Sequence, residues 1–118
     1  MKKVNLAKAF ASIQETWSPR IAAQVNDVHV KLAKLEGEFV RHTHQNEDEL
    51  FYVLSGVLTM AFDDGDVTVG PGEFIMVPRG VAHKPVAPEL VEVLLIEPAT
   101  TVNTGDAGGE RTRKAEWL

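Results

Sequence analysis

Between residues 50 and 98 the chain is cut into short apolar runs by closely spaced turn residues. Ser55-Gly56, Asp63-Asp64-Gly65-Asp66, Gly70-Pro71-Gly72 and Pro78-Arg79-Gly80 separate Leu50 to Leu54, Val57 to Phe62, Val67 to Val69 and Phe74 to Val77. Val91 to Ile96 is a last strong run before Pro98. Short β-rich runs bounded by Gly, Pro and Asp read as strands, and Ser55-Gly56 between two of them is a hairpin signal. Upstream, Val28, Val30 and Leu32 alternate with His29, Lys31 and Ala33, the period of a strand. Many short strands joined by such turns indicate an all-β fold, an antiparallel sandwich or barrel.

The two ends read differently. Leu6, Phe10, Ile13 and Trp17 are spaced four, three and four apart. This predicts a short amphipathic helix, capped by Asn5 and stopped by Ser18-Pro19. The alternative is an extended arm lying on a neighbouring subunit, with Phe10 and Trp17 as anchors. Residues 1–24 therefore read as an N-terminal helix or arm, 25–98 as the β-barrel and 99–118 as a C-terminal tail. From Thr104 to Gly109 that tail is polar, Gly-rich and expected to be loose, although Trp117 and Leu118 could dock.

Composition narrows the partners. The 118 residues amount to one domain, with 44% hydrophobic and 25% charged residues, as in ordinary globular domains. Net charge is −5 and the 12 basic residues form no stripe, which argues against nucleic acid. The longest apolar runs, such as Val93 to Ile96, fall far short of the roughly 20 residues of a membrane span. Lys2 and Lys3 are followed by Asn5, Lys8, Gln14 and Glu15 rather than an apolar signal core, so a cytoplasmic protein is expected. With no cysteine, thiol chemistry and Cys-ligated metals are excluded.

Histidine is the residue type that suggests chemistry. Only four occur, and two of them form His42-Thr43-His44. On a strand, residues two apart share a face with Cα atoms about 6–7 Å apart, close enough for both imidazoles to reach one ion. Glu49 stands at the mouth of the next strand and can swing a carboxylate toward that face. Glu47 and Asp48 read as loop charges, with Glu47 as a competing carboxylate. His83 follows the rigid turn Pro78-Arg79-Gly80, which would fix its delivery. Three neutral nitrogens and one anionic oxygen suit Zn, Fe, Mn, Co or Ni rather than Ca or Mg. His29 reads as a strand residue on the opposite face or a pocket wall. Arg41 and Arg79 flank the presumed site and could meet an anionic substrate. Phe39, Phe51, Tyr52, Met60, Phe74 and Met76 read as core and pocket lining.

These spacings resemble those of the cupin superfamily. Gly37, His42, His44, Glu49 and Gly56 follow its first motif, with Gly37 one residue closer to the His pair than usual. Gly72, Pro78, Gly80 and His83 follow the second. Ala87 stands where germin-type members carry Asn, so oxalate oxidation of the germin kind is not implied. The ending Thr101-Val102-Asn103-Thr104-Gly105 is similar to that of small bacterial single-domain cupins. The resemblance implies a jelly-roll barrel (a double-stranded β-helix) that forms homodimers. It also implies one divalent transition metal per chain on His42, His44, Glu49 and His83. The implied function is action on a small polar or anionic molecule, as an isomerase, lyase or dioxygenase. The alternative is a non-catalytic module that binds or senses a small ligand through the metal. No catalytic residue beyond the metal ligands is indicated.

Overall fold

The computed structural model describes residues 2–118. Helix α1 (Leu6–Ser12) begins at Asn5, whose side-chain oxygen accepts the Lys8 N–H at 3.0 Å and satisfies a donor that the helix itself cannot. The helix is shorter than its apolar stripe predicts. Ile13 is already extended, and Trp17 adopts φ 58° outside the helix. Tertiary bonds decide this: the Trp17 backbone N–H donates to Lys34 O and its indole Nε1 donates to Glu36 O, each at 2.8 Å. Phe10 and Ile13 bury against Leu32 of the chain's own sheet.

Eight strands follow: β1 (Arg20–Val25), β2 (Val28–Glu38), β3 (Glu49–Ser55), β4 (Leu58–Phe62), β5 (Gly65–Val69), β6 (Phe74–Val77), β7 (Lys84–Pro98) and β8 (Glu116–Trp117). β1 begins at Arg20, so the sheet takes in the end of the stretch that the sequence assigned to an arm. β7 organises the barrel. Along one edge it pairs with β2, from Val28 opposite Pro98 to Glu38 opposite Val86. Its other edge is shared by β3, which pairs with Glu92 to Ile96, and β4, which pairs with Lys84 to Val86. β6 adds to β3, and β5 adds to β4 through the two-residue turn Asp63-Asp64. This is the jelly-roll arrangement expected from the motifs.

The hairpin expected at Ser55-Gly56 is not formed. β3 and β4 lie end to end along β7 and do not pair with each other. Gly56, at φ +80°, is a kink where the chain passes Leu90 and Val91, and a Cβ there would lie 2.4 Å from the Leu90 carbonyl oxygen. Only glycine combines that dihedral with so close an approach.

Ala33, Leu35, Phe51, Val53, Leu58, Met60, Val77, Val91, Val93 and Leu95 fill the interior. Phe74 and Met76, read from sequence as core or pocket lining, instead face outward and are 63% and 48% exposed. Strand alternation explains this, because Val77 takes the buried position of β6 and Ile75 packs on the core. Helix α1 covers Leu32, Leu54 and Leu94 on the outer face and leaves Phe74, Met76 and Ile96 uncovered.

The tail is tied down rather than loose. Thr104 is fully buried, the Thr43 N–H donates to Asp106 Oδ1 at 2.8 Å, and the Asp106 N–H donates to Thr43 O at 3.0 Å. β8 runs parallel to β1, and the Leu118 N–H donates to Ile21 O. No helix among the described residues is long and apolar enough to cross a membrane.

Candidate metal centre

The two sequence motifs are zipped together. His42 and His83 form an antiparallel bridge, with N–H to O distances of 3.0 and 2.9 Å in the two directions. Two residues on, His44 O accepts the Gly80 N–H at 2.8 Å. Asp48 accepts from the Arg79 backbone at 2.9 Å and pairs with its guanidinium, so the loop before β3 holds the Pro78–Gly80 turn from a third side. The turn therefore delivers His83 against His42, with ring centroids 4.4 Å apart, while His42 and His44 stand 4.8 Å apart.

All four expected ligands converge. His42, His44, Glu49 and His83 are buried, and one ligand atom from each lies within 4.8 Å of the others, a set that could hold a metal ion. His42 Nδ1–H donates to the Val40 carbonyl at 2.8 Å and His83 Nδ1–H to the Val81 carbonyl at 3.0 Å. These bonds fix the tautomer and leave each Nε2 with its lone pair free, as metal-bound histidines require. His44 Nε2 and His83 Nε2 each lie 3.4 Å from Glu49 Oε1, and all three atoms are buried without a hydrogen-bond partner. An unsatisfied buried polar atom costs about 1–3 kcal/mol. Three such atoms facing one point fit a divalent cation, which bonds of about 2.0–2.2 Å would reach after small side-chain adjustments.

Electrostatics agree with the geometry. Burial pushes the His42 pKa down to about 4, with His83 and His44 adding to the shift against the Val40 hydrogen bond, so the ring is neutral at neutral pH. Burial alone would raise the Glu49 pKa, but the close Glu97, His44 and His83 side chains outweigh it and hold the carboxyl below its usual range. Burial and then the Glu49 charge push Glu97 well above the usual carboxylate range, with Lys31 acting in the opposite direction.

Beside the cluster lies a pocket of about 40 Å³ walled by Trp17, Leu35, Phe39, Phe51, Pro85 and Leu95, with His42, Glu49, Glu97 and Asn103 as its polar members. Trp17 stacks on Phe39 at 4.8 Å between centroids, and Arg111 lies over the same Phe39 ring. Gly105 packs against the His42–His44 segment so closely that a Cβ would sit 2.5 Å from Thr43 O and 2.9 Å from His42 Cδ2.

The description "Cupin domain" fits residues 28–97, which include all four cluster residues. The chain belongs to the cupin family. A cupin-2 domain containing protein from Shewanella frigidimarina, known from a crystal structure, superimposes with a TM-score of 0.79 and 44% identity, covering 80% of this chain and 93% of that one. The uncharacterized protein YdbB of Bacillus subtilis is 33% identical over 84 residues, which is 70% of this cupin and 74% of that protein. Quercetin 2,3-dioxygenase of Bacillus subtilis is 35% identical over 68 residues, covering 53% of this cupin and 20% of that enzyme.

Other sequence candidates fall outside the cupin's cluster. Glu47 accepts from Thr100 Oγ1 at 2.9 Å rather than competing with Glu49. Arg41 pairs with Asp63 and Arg79 with Asp48, both at the surface. His29 lines a separate groove beside Lys31, Arg113 and Trp117. Sequence reading missed Glu97, Lys31, Trp17 and Asn103 as neighbours of the site. Glu97 was detectable, because Val91, Val93, Leu95 and Glu97 form one period-two stripe whose first three members are core residues.

Proposed function

We propose that this cupin binds one divalent transition metal through His42, His44, Glu49 and His83, and acts on a small polar molecule held in the adjoining pocket. The observation that carries this reading is the set of partnerless buried atoms, His44 Nε2, His83 Nε2 and Glu49 Oε1, facing one another beside that pocket. A metal held there would supply Lewis acidity or oxygen activation. The chain's own groups do the rest. The imidazoles contribute neutral donors and Glu49 one negative charge, while the apolar walls exclude water and strengthen every polar contact inside. Asn103 and Glu97 are the polar wall groups that would orient a ligand.

The pocket favours a neutral polar ligand over an anionic one. Among the described residues no Lys or Arg lines it, and Arg41 and Arg79 are engaged by carboxylates elsewhere. About 40 Å³ is room for about three waters, far below the roughly 300 Å³ of a drug-sized site. A substrate beyond a few heavy atoms enters only if the Trp17 or Asn103 wall gives way. Of the isomerase, lyase and dioxygenase classes, the partial similarity to quercetin 2,3-dioxygenase favours oxygen chemistry. The paucity of polar groups beyond the ligands favours, as the second reading, a binding or sensing module without turnover.

Elemental analysis of protein purified from its native host should find close to one transition metal per chain. No metal as purified and none after reconstitution would refute the reading. Turnover lost in His42→Ala would support the enzyme, and ligand binding without turnover across a broad panel would support the sensor.

We also propose a homodimer formed through the uncovered outer face. Phe74, Met76 and Ile96 lie next to the half-buried Leu50 and Tyr52 on paired strands, an apolar patch of the kind that marks an interface. Light scattering should give twice the chain mass for the parent and the single-chain mass for Phe74→Asp/Met76→Asp. A monomeric parent would sink the proposal.

A further inference from the structure

Two ionisable side chains, Lys31 and Glu97, are buried in the barrel behind the metal centre. Lys31 Nζ lies 2.9 Å from Glu97 Oε1, with the side chains 4% and 2% exposed. Their neighbours on the same inward faces are Ala33, Leu35, Val93 and Leu95, an apolar environment. Apolar residues at 31 and 97 would serve packing as well or better, because a buried ion pair is often neutral or destabilising relative to well-packed hydrophobic residues. The position of the pair suggests why it is present. Glu49 follows the Leu50–Ile96 register pair outward along β3, which brings its side chain beside Glu97 on the inward face. Glu97 thus meets Lys31 through one oxygen, and its other oxygen, Oε2, is buried with no hydrogen-bond donor in reach. Both Glu49 and Glu97 line the pocket.

We infer that Lys31 and Glu97 are positioning residues, a buried clamp that holds the Glu49 carboxylate in the orientation that ligates the metal. Lys31 anchors Glu97 across β2 and β7, and Glu97 fixes the rotamer of Glu49, leaving Oε1 turned toward His44 and His83. Groups that orient a ligand from behind are typically worth about 10–100-fold in metal affinity. This inference rests on the metal reading above and adds residues to it.

The test is a titration of the metal-free full chain with Co(II), read by calorimetry and by the visible absorption of the bound ion. Lys31→Met/Glu97→Leu replaces the clamp with an apolar pair. It should melt, metal-free, at or above the parent temperature, bind Co(II) about 10–100-fold more weakly, and show a shifted absorption envelope. Glu97→Gln keeps the shape and polarity and should stay within about threefold of the parent. Should the apolar pair prevent folding, Lys31→Met/Glu97→Gln removes the anchor instead and is read in the same way. Parent affinity and spectrum in the clamp-free variant would overturn the inference while leaving the metal reading intact. Failure of the parent itself to take up Co(II) would remove both.

Discussion

Metal-free His83→Ala is expected to stay folded, melting within a few degrees of the metal-free parent, yet to gain no stability from added metal. His83 is fully buried, but its Nε2 makes no hydrogen bond and faces Glu49 and His44 at the point where the cluster converges. Without an ion, the side chain contributes packing and the Nδ1 bond to Val81. On the proposed reading it becomes a ligand when an ion is bound, and its loss should then weaken binding by more than the roughly 100-fold ceiling seen for groups behind the ligands. A ligand present at 100 times its dissociation constant stabilises the native state by about 2.7 kcal/mol. The parent should therefore melt about 10 °C higher with metal, and the variant should not move. Thermal denaturation of both proteins with and without Zn(II) or Mn(II) measures this. Equal metal-induced shifts would show that His83 is not a ligand, and collapse of the metal-free variant would make it a structural residue.

Gly56→Ala should be among the most destabilising single changes in the barrel, although it adds one methyl group far from any ligand. The residue holds φ +80°, where a side chain costs about 1–3 kcal/mol. The new Cβ would also lie 2.4 Å from Leu90 O and 3.0 Å from Val91 Cγ2, and both belong to β7, which cannot retreat without loosening its pairing to β2 and β3. Strain and overlap together should cost about 4 kcal/mol, a fall in Tm of roughly 15 °C. Gly72→Ala is the control, since it shares a similar φ of +81° but has nothing within 4 Å of the added atom. It should lose about 1–2 kcal/mol. If the two variants melt alike, the close approach at Gly56 contributes nothing.

Most strands from β2 to β7 were legible because turn residues bound them for local reasons, whereas β1 and β8 fall largely in the stretches read as arm and tail. The His–Glu cluster was legible from its spacing, although His42 and His44 lie in the bridged segment between β2 and β3 rather than on a strand. What was not legible depends on long-range packing. Ser55-Gly56 has the composition of a hairpin, and nothing local shows that β7 will bind both flanking strands along one edge. The alternation of β2 gives a strand but not its inner face. Helix α1 covers Leu32, so both faces are buried and Lys31 ends inside the barrel. Phe74 and Met76 look like core because they are large and apolar, and only the register of β6 turns them outward. The tail's glycines suggested looseness, whereas Gly105 is there because the backbone must touch Thr43 and His42.

The strand on which the barrel is built comes after β1 to β6 in chain order. β2 leaves the ribosome well before its principal partner, β7, which follows only after β3 to β6 have been made. A nascent chain ending before Lys84 would carry β2, β3 and β4 with those edges unpaired and the Met60 and Phe51 side chains open to solvent. Closure of the barrel is therefore a late, non-local event of the kind that slows folding and invites association between unfinished chains. For this protein, the exposed edges persist until the residues from Lys84 onward are available to pair with them.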